Sequence, residues 1–274
     1  MTGWTVDSPQ RLTVDGPVTR LHVRLVSGRL NVVATDGPTR IDVTRVGRRP
    51  VLITHSDGRL TLRQERGRGW ADALRWLRSL ARYPKVHVSV AVPADVLADL
   101  GLVAGSLVAS GLRRQTTVDV TAGQITLMGL RGSTSAKITS GSVEALGVGG
   151  DVTLETVSGE VILADSAADR VDAKTVSGAI TCDLDNPRHS EIRLSTISGG
   201  ITVRIREDSD LAVRLHTASG RITSGFPQVH TSTFPLANSE GVLGAGEGKL
   251  WASATSGSIA LLARPVTDDE EELP

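Results

Sequence analysis

Charged residues recur at one position of a short repeat and are the first candidates for chemistry in this sequence. Asp119, Lys137, Glu155 and Lys174 each stand four residues before a glycine in consecutive copies of the repeat. The two carboxylates, Asp119 and Glu155, could act as the acid and base of a glycosidase. The intervening lysines favour another interpretation, because opposite charges stacked one repeat apart attract each other. We therefore expect these four residues to form a structural ion ladder on an outer face.

The other reactive side chains do not form a catalytic or metal-binding pattern. The six histidines lack metal-ligand spacing, and the glycine-rich run 241–248 leads into a strand-like segment where a phosphate loop requires a helix. The single cysteine, Cys182, falls on an inward position and is expected in the core. The sequence therefore predicts no catalytic residue, no metal site, no cofactor and no enzymatic activity.

A repeated corner glycine positions these side chains. Residues two and four places after each glycine are apolar, and the residues between them are mostly polar, as in a strand with one buried face. Successive glycines are mostly 18 to 21 residues apart, a period typical of solenoids. The repeat glycines are Gly105, Gly123, Gly141, Gly159, Gly178, Gly199, Gly220 and, after a longer step, Gly257.

The repeat predicts an all-β fold, namely a single-stranded parallel β-solenoid of about eight coils over residues 93–264. The step of 37 residues between Gly220 and Gly257 is close to two coils, one of them degenerate or looped out. A second column of the repeat consists of Thr156, Thr175, Thr196 and Thr217. We expect these threonines to stack through hydroxyl–hydroxyl hydrogen bonds.

Residues 1–92 show a different pattern. Alternating segments between residues 11 and 64 are separated by turn residues, and Asp36-Gly37 and Asp57-Gly58 are typical of hairpins. We expect an antiparallel β meander that caps one end of the solenoid. Residues 265–274 contain the acidic run Asp268 to Glu272 and are expected to form a disordered tail that disfavours end-to-end assembly, so a monomer is favoured.

Residues 69–83 interrupt the strand pattern with the period of an amphipathic helix inserted in the meander. Trp70, Leu74 and Leu77 share one face, while three arginines share another. The helix could plug the end of the solenoid, or it could dock on a protein partner or a membrane surface. In the docking alternative the candidate interaction residues are Trp70, Arg75, Trp76, Arg78, Arg82 and Tyr83.

The repeated Thr-Val-Ser-Gly and Thr-Ile-Ser-Gly motifs resemble a bacterial β-strand-repeat family called toastrack or putative adhesin domains. These motifs stand at residues 156–163, 175–180 and 196–201. Residues 246–262 close the repeat with Gly-Glu-Gly-Lys-Leu followed by Ala-Thr-Ser-Gly-Ser-Ile-Ala-Leu-Leu, and the resemblance covers roughly residues 18–264. It implies a bacterial single-stranded β-solenoid in a family often linked to membrane-associated envelope-stress and signalling proteins. It brings no catalytic residues to this chain.

Together these observations predict a non-enzymatic interaction scaffold, with an adaptor role in envelope stress or membrane-associated signalling. The formal net charge of zero removes any global attraction to nucleic acid, and the first 18 residues lack the apolar run of a secretory signal. We expect a cytoplasmic protein, with peripheral membrane contact through residues 69–83 as the alternative. The alternative functions are a carbohydrate-active β-helix enzyme, although residues 93–223 contain no aromatic residue, and a self-assembling structural protein.

Overall fold

The computed structural model describes residues 2–47, 49–64, 85–184, 189–232 and 237–265. Every secondary-structure element within these ranges is a strand, which confirms the prediction of an all-β protein. The expected helix over residues 69–83 and the acidic run 268–272 lie outside the described residues. In the described part, no helix could span a membrane. The chain divides into two compact units, Met1–Glu144 and Ala145–Pro274.

The first unit begins with strands that vary widely in length, and its last strand runs two residues past the division. The strands are β1 Thr2–Val6, β2 Gln10–Thr13, β3 Arg20–Ala34, β4 Arg40–Arg45, β5 Val51–Ser56, β6 Arg59–Gln64, β7 Val86–Val92, β8 Leu97–Ser110, β9 Thr116–Met128 and β10 Thr134–Leu146.

The long strands of the first unit are coils that bend at a glycine in mid-strand. Strands β3, β8 and β9 run parallel and in register, so that Leu30 lies beside Leu107 and Leu107 beside Ile125. All three side chains are fully buried. This confirms the inward positions that the period-2 pattern predicts.

The prediction of an antiparallel meander is correct only for the outer strands. Strand β1 pairs with β5, β2 with β4, and β5 with β6 through the predicted Asp57-Gly58 hairpin, all antiparallel. Strand β3, however, runs parallel to β6, β7 and β8, and β4 pairs with β7 instead of β3. The Asp36-Gly37 turn reverses the chain direction between β3 and β4, but the two strands it joins do not pair with each other. Strand β3 is buried on its inner face along its whole length, which suits a coil with parallel neighbours on both sides.

Apart from the 17-residue strand β12, the strands of the second unit are short, and most of them are arranged two to a coil. They are β11 Gly149–Ser158, β12 Val161–Ser177, β13 Ile180–Leu184, β14 Glu191–Ser198, β15 Ile201–Arg206, β16 Leu211–Ser219, β17 Ile222–Ser224, β18 His230–Ser232, β19 Ala237–Leu243, β20 Gly248–Ser256 and β21 Ile259–Arg264.

The coils of the second unit do not stack in chain order. Strand β20 pairs in parallel with β14 on one side and with β16 on the other, so the last coil of the sequence lies between its two predecessors. Strand β19 pairs antiparallel with the remaining edge of β16, and β18 pairs antiparallel with β19. The prediction of an entirely parallel solenoid is therefore wrong here. The long step from Gly220 to Gly257 contains a hairpin that covers the edge of β16, and the chain then returns on the other side of that strand.

The corner glycines bring neighbouring coils into direct backbone contact. At Gly199 the φ angle is +147°, and a Cβ atom there would lie 1.9 Å from the carbonyl oxygen of Gly178. The amide of Gly199 donates a 3.0 Å hydrogen bond to the carbonyl of Ser256, in the coil that follows it in space. Side chains other than glycine's single hydrogen cannot fit at this position, so the repeat requires glycine.

Replacing a corner glycine should therefore cost far more than replacing a turn glycine. In Gly105→Ala the new Cβ would lie 1.9 Å from the carbonyl oxygen of Gly28, whereas Gly129→Ala, at φ +60°, meets no atom within 4 Å. We expect Gly105→Ala to lower the free energy of unfolding by on the order of 4 kcal/mol, and Gly129→Ala by about 1 to 2 kcal/mol from backbone strain alone. Urea denaturation measures both values, and equal losses would contradict the backbone contact.

The order of the coils predicts which cysteine pairs can be cross-linked. Ser195 lies beside Ser253, and Ser253 beside His216. The double variant Ser195→Cys/Ser253→Cys should form a disulfide on mild oxidation, because paired strands lie about 4.8 Å apart. The matched pair Ser195→Cys/His216→Cys, two strands apart, should not. Mass spectrometry of the oxidised proteins distinguishes the two variants. A cross-link in the second variant only would mean that the coils stack in the order of the sequence, which would contradict the structure.

Candidate functional site

The segment that carries the expected interaction residues departs from a corner of the first unit. Strand β6 lies beside the first half of β3 and β7 beside its second half, so together they form one coil interrupted at its corner. Val86 takes the position opposite Gly28 where the other coils place a glycine. The interaction residues themselves lie outside the described residues, and their role stays a prediction; they are Trp70, Arg75, Trp76, Arg78, Arg82 and Tyr83.

A cleft of about 550 Å³ opens on the first unit beside this corner. Its charged and polar lining includes Arg24, Arg63, Gln64 and Asp119. Gly101 lets the Arg24 side chain lie across the strand, since a Cβ there would lie 2.6 Å from Arg24 Cδ. Among the residues that the structure describes, one carboxylate, Asp119, lines this cleft, so the described lining does not supply the carboxylate pair of a glycosidase.

Arg24 is held in place by an acidic partner on the next coil. Its Nη2 donates a 2.8 Å hydrogen bond to Asp99 Oδ1, and His22 Nδ1 lies 3.0 Å from Asp99 Oδ2. Arg63 and Asp119, in contrast, form no ion pair with any residue in the described ranges. In the cleft, the guanidinium group of Arg24 is therefore neutralised by Asp99, whereas the charged groups of Arg63 and Asp119 are open to a ligand.

The four residues of the expected ion ladder occupy different settings. Asp119 lines the cleft, and Lys137 is exposed on β10. Glu155 and Lys174 lie side by side on paired parallel strands. Lys174 Nζ also donates a 2.7 Å hydrogen bond to Asp172 Oδ2 on its own strand. The ladder geometry is thus present between Glu155 and Lys174, within the second unit.

The second unit presents an outer face on which charges alternate from coil to coil. We call this the first-strand face; it consists of the outward side chains of β11, the second half of β12, β14, β20, β16 and β19. One of its rows reads Asp151, Arg170, Glu191 and Lys249 across successive strands. Arg170 Nη2 lies 3.2 Å from Glu191 Oε2, and Arg193 pairs with the same carboxylate. Opposite charges opposed in this way stabilise a sheet.

Large apolar side chains also lie on this face. Trp251 is 54% exposed and stands between Arg193 and Arg214 on the neighbouring strands. At the corner edge of the face, Val157, Val176 and Ile197 are 50%, 45% and 55% exposed in three successive coils. Trp251 was not among the predicted site residues, although its place between the inward residues 250 and 252 was a signal that it points outward.

The threonine column is buried, but it does not form the expected hydroxyl stack. Thr196 Oγ1 donates to the carbonyl of Gly178 at 3.3 Å, and Thr217 Oγ1 to the carbonyl of Gly257 at 2.8 Å. Thr156 and Thr175 hydroxyls are buried without a hydrogen-bond partner among the described residues. The expectation is wrong because each bonded hydroxyl reaches the corner carbonyl of the adjacent coil, not another threonine.

Cys182 is buried, which confirms the prediction of a core cysteine. Burial, and secondarily the charge of Asp183, raises the pKa of the thiol to about 12, so it is not a nucleophile at neutral pH. Asp183 accepts a hydrogen bond from Arg204 and so raises the pKa of that guanidinium.

In the described ranges, no group of three or more His, Cys, Asp or Glu residues could hold a metal ion.

The family model named Toastrack DUF4097 matches residues 31–262. This match confirms the resemblance based on the repeated Ser-Gly motifs. Three similar solved structures are described as putative adhesins. That from Bacteroides fragilis has 13% identity and a TM-score of 0.47, with 93% of this chain and 98% of that chain covered. That from Parabacteroides distasonis has 13% identity and a TM-score of 0.41, with 93% of this chain and 96% of that chain covered. That from Parabacteroides merdae has 10% identity and a TM-score of 0.43, with 93% of this chain and 95% of that chain covered. Among curated proteins none matches.

The buried thiol predicts a loss of stability at alkaline pH. The unfolded thiol releases its proton above about pH 8.5, whereas the folded thiol holds it to about pH 12. Above pH 8.5 the unfolded state binds fewer protons, so the free energy of unfolding falls as pH rises. Between pH 8 and pH 10 the protein should lose about 2 kcal/mol more than Cys182→Ala, as measured by urea unfolding. Equal losses would show that the thiol titrates normally in the folded protein.

Proposed function

The chain belongs to the Toastrack DUF4097 family, and from this premise we propose that it is a non-enzymatic interaction scaffold. The first-strand face of the second unit holds a folded protein partner. The scaffold acts as an adaptor in bacterial envelope-stress or membrane-associated signalling, in line with the role that its resemblance implies.

The exposed Trp251 is the observation that carries this proposal. More than half of its surface meets solvent, and arginines stand on both neighbouring strands. Arg214 in turn lies near a carboxylate, with Nε 3.9 Å from Glu240 Oε1. Tryptophan and arginine are the residues most enriched at the energetic centres of protein interfaces. A tryptophan fixed on a rigid strand also loses little conformational entropy on binding.

The size and charge of the face suit a protein partner. Six strands of about seven residues cover roughly 30 by 23 Å, which approaches the area of about 800 Å² per partner in a standard interface. The face has no excess of positive charge, so it does not attract nucleic acid. Its five cations are Arg170, Lys174, Arg193, Arg214 and Lys249, and its six carboxylates are Asp151, Glu155, Asp169, Asp172, Glu191 and Glu240.

Site-specific photo-crosslinking in the source organism tests this proposal. A benzophenone amino acid is placed at Trp251 and, as the matched control, at Leu262. Leu262 is similarly exposed but aligns with Arg204 on the second strands of the coils, away from this face. We expect position 251 to yield a discrete adduct with a membrane-associated or signalling protein, and position 262 to yield none.

The adduct should depend on the tryptophan's surroundings. In the protein that carries the benzophenone amino acid at position 251, Arg193→Gln combined with Ile197→Ser should abolish the adduct. Separately, the single substitution Trp251→Ser should weaken partner binding by about thirtyfold or more. The melting temperature of Trp251→Ser should hardly change, because the side chain is exposed. Equal labelling at 251 and 262, adducts only with a second copy of the chain, or hydrolysis of an envelope polysaccharide by the purified chain would each contradict the proposal.

A further inference from the structure

Cationic side chains lie near one another in the first unit, in contrast to the alternating row of the first-strand face. Arg24 on β3 lies beside Arg63 on β6, and Arg29 on β3 lies beside His87 on β7. On the other side of His87 stands Arg45 of β4. Like charges opposed across strands destabilise a sheet. The Arg24–Arg63 pair is of this kind, whereas His87 has a lowered pKa and is neutral at neutral pH.

Most of these cations have no counter-ion within the described part of the chain. Arg24 is neutralised by Asp99, but the side chains of Arg29, Arg45, Arg63 and Lys85 form no ion pair there. All four are exposed. Burial, together with the charges of Arg29, Arg45 and Lys85, lowers the pKa of His87, which indicates that these three cations converge on a small area.

The cations lie on both sides of one bend in the fold. Arg63 precedes the interrupted corner and Lys85 follows it, while Arg29 comes directly after the corner residue Gly28 of the adjacent coil. Arg63, which also lines the cleft, therefore lies on one side of the corner, and Arg29, Arg45 and Lys85 lie on the other. We call these four exposed cations the ridge. Cations spread over two faces suit a broad, negatively charged surface better than a small ligand that fills the cleft.

We propose that this ridge, formed by Arg29, Arg45, Arg63 and Lys85, docks the protein on the anionic headgroups of a lipid bilayer. Phosphate groups of the bilayer supply the counter-ions that these four cations lack among the described residues. Each cation at such a surface strengthens binding about fivefold, and the attraction extends over roughly a Debye length. The chain's formal net charge of zero means that this local cluster, and not the whole molecule, provides the attraction.

The sequence that joins the two sides of the ridge supports a lipid surface over other polyanions. Residues 65–84 contain two tryptophans, the single tyrosine of the chain and five arginines. Tryptophan and tyrosine are enriched at membrane–water interfaces. The proposal concerns the described ridge alone and is independent of the protein partner proposed for the second unit.

Sedimentation with vesicles of phosphatidylcholine and phosphatidylglycerol in a two-to-one ratio tests the inference on the full chain. The ridge variant carries Arg29→Gln, Arg45→Gln, Arg63→Gln and Lys85→Gln. The control variant removes the same number of charges from exposed sites elsewhere, through Arg113→Gln, Arg114→Gln, Arg131→Gln and Arg221→Gln. We expect the wild type to bind these vesicles but not pure phosphatidylcholine, with affinity that falls as salt rises.

The ridge variant should bind at least about a hundredfold more weakly and the control variant less than about fivefold. The ridge variant should also melt at the same or a higher temperature, because it lacks the repulsion between like charges. No binding by the wild type, equal losses in the two variants, an unaffected ridge variant, or tighter binding to duplex DNA than to the vesicles would each overturn the inference. Crosslinking at Trp251 reports on the protein partner separately, so the two proposals can fail independently.

Discussion

Within each of the two units, neighbouring coils are fixed to one another by a backbone contact that only glycine permits. At the corners, the carbonyl oxygen of one glycine lies where a Cβ of the next glycine in the column would be. The distances are 1.8 to 1.9 Å for Gly105, Gly123 and Gly141 in the first unit and 1.8 to 2.1 Å for Gly178, Gly199, Gly257 and Gly220 in the second. The corner amides then donate hydrogen bonds of 2.9 to 3.0 Å to the serine carbonyls of adjacent coils. Because the corners are stacked at this distance, the inward residues on both halves of every coil fall into register. The buried column and the outer rows of charge both depend on that register.

The same contact accounts for the unusual order of the second unit. The returning strand β20 carries its own corner at Gly257, so it can enter the column between Gly199 and Gly220 with the spacing of any other coil. The hairpin of β18 and β19 then covers the edge of β16 that would otherwise be open. Unpaired edges promote aggregation, so this arrangement protects the end of the second unit. The exposed Trp251 reaches the middle of the first-strand face only because its strand was inserted there.

The sequence was sufficient for the repeat but not for the neighbours of each strand. Alternation of apolar and polar residues correctly identified inward positions such as Ile180 and Ile201, because that pattern is local. It could not place β20, since residues 248–264 alternate like any other coil and the choice of partner depends on which edges are free. Strand β3 was misread for a related reason: the Asp36-Gly37 turn is a local signal, whereas the parallel partners of β3 lie 39 to 77 residues away. The proximity of the cations on β3, β4 and β6 became visible only once this pairing was known.

The central claim, that corner glycines bond to the coil that adjoins them in space, can be tested at one hydrogen bond. Scalar coupling across a backbone hydrogen bond, observed by nuclear magnetic resonance in deuterated protein, identifies the acceptor of a given amide directly. The structure predicts coupling between the amide nitrogen of Gly199 and the carbonyl carbon of Ser256. Coupling of Gly199 to Ser219 instead would mean that the coils stack in chain order, and it would contradict both the inserted strand and the position of Trp251.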